Sequence, residues 1–224
     1  MDQDSPADYL ALADWRRRVA KMWQEWRIVS GTDGPAATQA FRDAKDRLFL
    51  EHPQSPVPAA QRPSFTGLPY WPYDAALRMT VRLDPPPPEV ERSAAFASLA
   101  AIALPSSGSG GIPFRRIGRV QLSGPLAGSS LDVFWIDAYG GGIFLPFRDA
   151  TSGSETYGAG RYLLDTIKSA DHGGDHATGE LLLDFNMAFH PSCAHDPKWA
   201  CPLAPPENRL SVPVRVGERL ASTH

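Results

Sequence analysis

Apolar residues near the N-terminus recur every three or four positions. Leu12, Trp15, Val19, Met22, Trp23 and Trp26 make one stripe, the period of an amphipathic helix. Ser5-Pro6-Ala7-Asp8 precedes it as a capping box with proline at the first helical position. Gly31 to Pro35 breaks the pattern. A second helix is predicted from about Thr38 to Leu50, with Phe41, Ala44, Leu48 and Phe49 inward, and Pro53 stops it.

The period then changes. Residues 51–74 carry six prolines and an aromatic turn, Tyr70-Trp71-Pro72-Tyr73, and are predicted as loop. Leu77 to Leu83 alternates apolar and polar residues, as a half-buried strand does. Asp84 to Glu89 is proline-rich and predicted extended. Phe96 to Leu104 is apolar and fits strand or helix, and Pro105 to Gly111 is predicted as loop. Further strands are predicted at Arg115–Leu122, Ser130–Ile136, Ile143–Phe147, Arg161–Ile167, Leu181–Asn186 and Ser211–Val216, with glycine-bearing turns between them. Short strands with no helices between them predict a mainly β body, an antiparallel β-barrel or sandwich, with two N-terminal helices and an α+β class overall. No repeat or long linker divides the chain. The expectation is one domain over 1–224, with a helical arm at 1–52 and a β-rich body at 65–220.

Composition narrows the function. At 224 residues the chain can bury one sizeable core without disulfides or metal. A net charge of −3 with both signs interspersed offers no basic field for phosphates, so nucleic acid is not an expected partner. No apolar run approaches the roughly 18 residues that span a bilayer, and the acidic start Met1-Asp2-Gln3-Asp4 lacks the features of a signal peptide. The expected setting is cytoplasmic, with no membrane partner. Oligomeric state is left open.

Several common enzyme signatures are missing. The chain has no phosphate-loop motif, no His-Glu-x-x-His and no Gly-x-Ser-x-Gly. Gly158-Ala159-Gly160 lacks the strand–turn–helix setting of a dinucleotide fingerprint. Chemistry concentrates instead between Phe147 and Asn208. Arg148, Asp149, Thr151, Thr156, Tyr157 and Arg161 surround a glycine-bearing loop. Either Arg148 or Arg161 grips an anion there, or the arginines pair with Asp149 inside a hairpin loop. Asp184 and Asn186 share one face of a strand by alternation. They form either a general base with an orienting amide or a turn that bonds its own backbone. Asp165 on the preceding strand can join either arrangement.

His190, Cys193, His195 and Cys201 are the tightest group of metal-capable residues, spaced His-x₂-Cys-x-His-x₅-Cys. That spacing departs from paired zinc knuckles. A disulfide, a nucleophilic thiol with a histidine base, or plain buried thiols are the other readings. Glu218 is either a carboxylate reaching a pocket or a solvated strand end. The aromatic turn at Tyr70 is either a ligand platform or a cap on the core, and the tryptophan stripe is expected in the core.

The run Arg148-Asp149-Ala150-Thr151, Thr156-Tyr157 and Gly160-Arg161-Tyr162-Leu163 resembles the first motif of domain-of-unknown-function family 1684. The second motif is similar through Asp184-Phe185-Asn186, Ala188-Phe189, Cys193-Ala194, Cys201-Pro202-Leu203, Pro205-Pro206, Asn208 and Gly217-Glu218. The resemblance runs from about Trp15 to Glu218. It implies a cytosolic bacterial protein with a helical arm and a β-rich body, and supplies no mechanism. It also implies that Tyr157, Arg161, Asp184, Asn186, Cys193 and Asn208 make a shared site or a shared loop architecture. His190 and His195 stand where the family more often has Asn and Tyr, which places a zinc site built from both outside the family pattern.

The leading expectation is a small-molecule-binding domain, with or without catalysis, that takes an anionic or carbonyl-bearing ligand. Asp184 and Tyr157 are the candidate catalytic groups. Arg148, Thr156, Arg161, Asn186 and Asn208 are the candidate ligand contacts. No cofactor is expected; zinc at His190, Cys193, His195 and Cys201, and FMN, are alternatives. The other functional readings are a non-catalytic interaction scaffold using the proline-rich loops, and a metal-assisted hydrolase at the His/Cys group.

Overall fold

A computed structural model describes residues 5–85, 102–103 and 113–221. The predictions for 86–101 and 104–112 lie outside the described residues. Helix α1 spans Pro6–Ser30, and the Ser5 hydroxyl accepts the Asp8 N–H at its start. Helix α2 spans Gly34–Glu51 and begins four residues earlier than the periodicity suggests. The Asp33 carboxylate caps it by accepting from Ala36 N at 3.0 Å. Pro35 falls in the first turn, where its missing N–H costs nothing, so it starts the helix rather than breaking the chain.

The strands are β1 (Arg78–Asp84), β2 (Ile102–Ala103), β3 (Pro113–Gln121), β4 (Ser130–Ile136), β5 (Gly142–Phe147), β6 (Arg161–Asp165), β7 (Gly174–Asp175) and β8 (Glu180–Asp184). They pair antiparallel in the order β6-β5-β4-β3-β1-β8-β7, with β2 on the edge of β3, and form a half-barrel. The fold is thus the expected antiparallel β body with two N-terminal helices. The bulge at Arg116/Gly118 bends β3. Gly118 is required there, because a Cβ would lie 2.3 Å from the Asp84 carbonyl.

One face of the sheet buries Val81, Val120, Leu131, Val133, Leu145, Phe147, Leu163 and Leu183. The opposite face carries Phe114, Phe134, Phe144 and Tyr162. Helix α1 lays Trp23 and Trp26 against Ala170 and Met187, beside Leu182 and Phe41. These two tryptophans are core residues, as expected.

Three predicted strands change. Arg161–Ile167 ends at Asp165, and Leu181–Asn186 ends at Asp184; each is followed by a short 3₁₀ turn. Ser211–Val216 is not a strand. Pro213 lacks the N–H a ladder needs, and the segment lies across the core as an irregular strap, with Leu210, Val214 and Val216 packed inward.

The side chains of Asn208, Asp149 and the β6 residue Arg161 hold that strap in place. Asn208 takes the Asp132 N–H on its Oδ1 at 2.8 Å and donates to the carbonyls of Asp132 at 2.8 Å and Pro146 at 2.7 Å. The Asp149 carboxylate accepts from Val214 N at 2.6 Å. Arg161 donates to the carbonyls of Val214 at 2.7 Å, Val216, and Glu218 at 3.1 Å.

Candidate functional site

A cleft of ≈330 Å³ opens between the helical pair and the segment 189–201. Its walls are Trp15, Val19 and Trp23 of α1, Phe41 and Phe49 of α2, and Tyr162 and Phe189 from the body. This is the aromatic, mostly apolar lining typical of small-molecule sites. The α2 stripe explains the placement. Phe41, Lys45 and Phe49 follow one another at four-residue spacing, so a lysine sits in the middle of an aromatic row.

Lys45 is the charge at the base of the cleft. Its ammonium is ion-paired to Glu218, and the two side chains are only 12% and 2% exposed. It also lies 5.1 Å from the ring centres of both Phe49 and Phe189. The other Glu218 oxygen accepts from His190 N at 2.7 Å. Burial pushes the Glu218 carboxyl up, but Lys45 and the two imidazoles outweigh it and leave the group below the usual carboxylate range. Glu218 is therefore ionised, and it is an internal anion rather than a solvated strand end.

The histidines differ in what they can still do. His190 Nε2 accepts from Tyr157 N at 3.3 Å, and its Nδ1 lies 3.8 Å from Glu218. Burial lowers its pKa to about 4. His195 stands edge-on to Phe49, with ring centres 5.6 Å apart, and lines the cleft. Its Nε2 is buried without a hydrogen-bond partner, and burial again lowers its pKa. Both imidazoles are neutral near pH 7.

The candidates from sequence lie elsewhere. Arg161 is 1% exposed and directs its N–H groups at backbone carbonyls, with Asp149 at 3.5 Å. Arg148 donates to the Gly158 carbonyl. Thr156 and Thr151 bond each other at 3.0 Å, and Thr151 bonds Asp149 at 2.8 Å. Asn208 is committed to Asp132 and Pro146. Asp184 pairs with Arg78 at 3.2 Å and accepts from Asn186 N and Nδ2 at 3.0 and 2.8 Å. The Asn186 Oδ1 in turn accepts from Asp74 N. The 3₁₀ turn after Asp184 thus replaces the strand alternation by which the two were to share a face. Asp165 is among the residues that line the cleft.

Tyr157, Arg161 and Asp184 do not line the cleft. The structure brings Arg148, Asp149, Thr156, Arg161 and Asn208 together as a clamp on the strap, and Asp184 with Asn186 as a separate turn. Among the described residues no group of three His, Cys, Asp or Glu is placed to hold a metal. Cys193 and Cys201 are buried thiols, not a disulfide, and Cys193 N donates to Cys201 Sγ at 3.4 Å. Tyr157 contacts Cys193; burial first, and then that contact, raise its phenol to about 12. The aromatic turn caps the core: Trp71 N bonds the Gly217 carbonyl, and Arg42 lies 4.4 Å from the Tyr70 ring centre.

A family model described as protein of unknown function (DUF1684) matches residues 63–219. The chain belongs to the DUF1684 family. A similar solved structure is the solution NMR structure of an uncharacterized protein of Haloarcula marismortui. It shares 28% identity at a TM-score of 0.55, over 87% of this chain and 98% of that one. No curated protein matches. In this DUF1684 chain the matched segment includes the whole strap and its clamp, while α1 and α2, which form one wall of the cleft, precede it.

Gly217 fixes how Glu218 enters the site. Its φ is +74°, and a Cβ would lie 2.6 Å from the Ala188 carbonyl. Gly217→Ala combines left-handed strain with a backbone clash and is expected to cost about 2–4 kcal/mol. Urea unfolding measures it; a midpoint equal to wild type would show that the turn relaxes freely.

Proposed function

We propose that this protein binds a small amphipathic molecule in the cleft between the helical pair and the β body. The carrying observation is the ≈330 Å³ volume lined by Trp15, Trp23, Phe41, Phe49, Tyr162 and Phe189, with Lys45 and His195 at its polar end. Apolar walls supply affinity through surface removed from water, and a few fixed polar groups orient the ligand. The small-molecule ligand expected from sequence is kept, but its site moves from Arg161 and Asp184 to the cleft. Binding without catalysis is the favoured form. Among the described residues of the cleft, His195 presents an unpartnered nitrogen on a neutral imidazole, and the Cys201 thiol that also lines the cleft is pushed up, first by its hydrogen bond with Cys193 and then by burial. The reduced thiols suit a reducing compartment such as the cytoplasm.

Filling the cleft tests this. Nile red, a neutral apolar dye, is expected to bind at one equivalent and to quench the cleft tryptophans. Val19→Trp is expected to weaken it by about tenfold or more by occupying the volume. Leu12→Trp at the mouth is the second block. Absence of dye binding, or binding indifferent to both variants at unchanged circular dichroism, would end the proposal.

A further inference from the structure

Lys45 and His195 bring hydrogen-bond donors to the cleft. Lys45 carries three N–H donors, and among the described residues its hydrogen-bonded partner is Glu218. The ring faces of Phe49 and Phe189 also lie beside it, with centres 5.1 Å from its ammonium. The nearby His195 Nε2, on the same Phe49 ring, has no partner although it is buried. A buried polar nitrogen without a partner carries a free-energy cost that a bound oxygen would remove. Beside these donors the Lys45 cation faces the buried Glu218 anion.

We propose that the head group held here is an uncharged carbonyl, as in an amide, ester or ketone, whose oxygen accepts from His195 Nε2–H and Lys45. This rests on the cleft being a ligand site, as argued above, and narrows the ligand to neutral heads. A carboxylate would satisfy the same donors, but it would set a second negative charge beside Glu218, which is 2% exposed and poorly screened. An aliphatic ammonium would meet Lys45. A neutral carbonyl meets the donors and disturbs neither charge. The body of the ligand is apolar and is best ring-bearing, because the walls present aromatic faces and edges.

Four probes sharing one body test this on the full chain near neutral pH: 4-phenylbutanamide, methyl 4-phenylbutanoate, 4-phenylbutanoate and the headless butylbenzene. Titration is followed by tryptophan fluorescence and calorimetry. The amide and the ester are expected to bind about tenfold more tightly than the carboxylate. His195→Leu is expected to remove most of their advantage over butylbenzene, read as the ratio of amide to butylbenzene affinity within each protein. Carboxylate binding as tight as the amide's would overturn the uncharged head and leave the cleft reading standing. Equal amide binding in wild type and His195→Leu would overturn the contact with His195. Failure of all four at millimolar concentration would overturn the cleft reading together with this one. So would a dimer, detected by sedimentation, that buries Trp15 and Trp23, since a second copy would then fill the cleft.

Discussion

Arg161→Met is expected to lower the unfolding free energy by about 3–5 kcal/mol, the cost of removing one member of a buried charged network. The guanidinium is 1% exposed and serves three carbonyls of the strap together with the Asp149 carboxylate. Methionine fills similar volume but donates nothing. It leaves those carbonyls short of a partner and Asp149 without its countercharge. Desolvation lowers the Arg161 pKa to about 10, which still keeps it charged at neutral pH. Asp149→Asn should cost less, because an amide oxygen can still accept the Val214 N–H. Urea unfolding at neutral pH reads both values. Because Arg161 does not line the cleft, whatever folded fraction of the methionine variant remains should bind Nile red as wild type does. A fully stable Arg161→Met protein that had lost ligand binding would instead restore the anion-grip model and reject the clamp.

The contrast between fold and site in legibility follows from range. Helix α1 is local: Ser5, Pro6 and the tryptophan stripe specify it within 25 residues. Strand positions were legible from alternation, and their ends were not, because β6 and β8 give way to 3₁₀ turns after Asp165 and Asp184, the second held by Asn186 and Asp74. The residues richest in chemistry proved to be architectural. Arg161 and Asn208 bond backbone carbonyls contributed by segments 53 and 62 residues away, and no sequence spacing announces a backbone partner. Glu218 was visible as a carboxylate after a glycine, but its cation is Lys45, 173 residues distant. The available signal was Lys45 itself, a charge set between Phe41 and Phe49 in an aromatic row. His195 was singled out for metal chemistry, and its geometry instead leaves one open nitrogen in an apolar cleft.

The second large effect concerns acid. Three buried imidazoles are neutral in the folded chain, and each is held below its ordinary value mainly by burial: His172 to about 3, His190 to about 4, and His195 in the same direction. His172 is further tied by its Nδ1, which accepts from Asp184 N at 3.1 Å. In the unfolded chain all three titrate near the free value of about 6.5. As pH falls below that value, the unfolded state takes up protons that the folded state refuses, so stability must fall. The slope is about 1.4 kcal/mol per pH unit for each such group. His172 and His190 alone then cost on the order of 4 kcal/mol between pH 7 and 5, a large part of the 5–15 kcal/mol typical of a domain. Asp46, Asp165 and Asp184, raised chiefly by burial, work against this by retaining protons when folded. Glu218 is shifted the other way and adds to the loss once pH drops through the carboxylate range. Urea midpoints measured from pH 7 to 5 should therefore decline steeply. His190→Asn should flatten the decline by about one proton's slope, while its amide oxygen can still accept the Tyr157 N–H. Stability that stays level or rises across that interval would mean the imidazoles are solvated, and the dry, neutral end of the cleft would not exist.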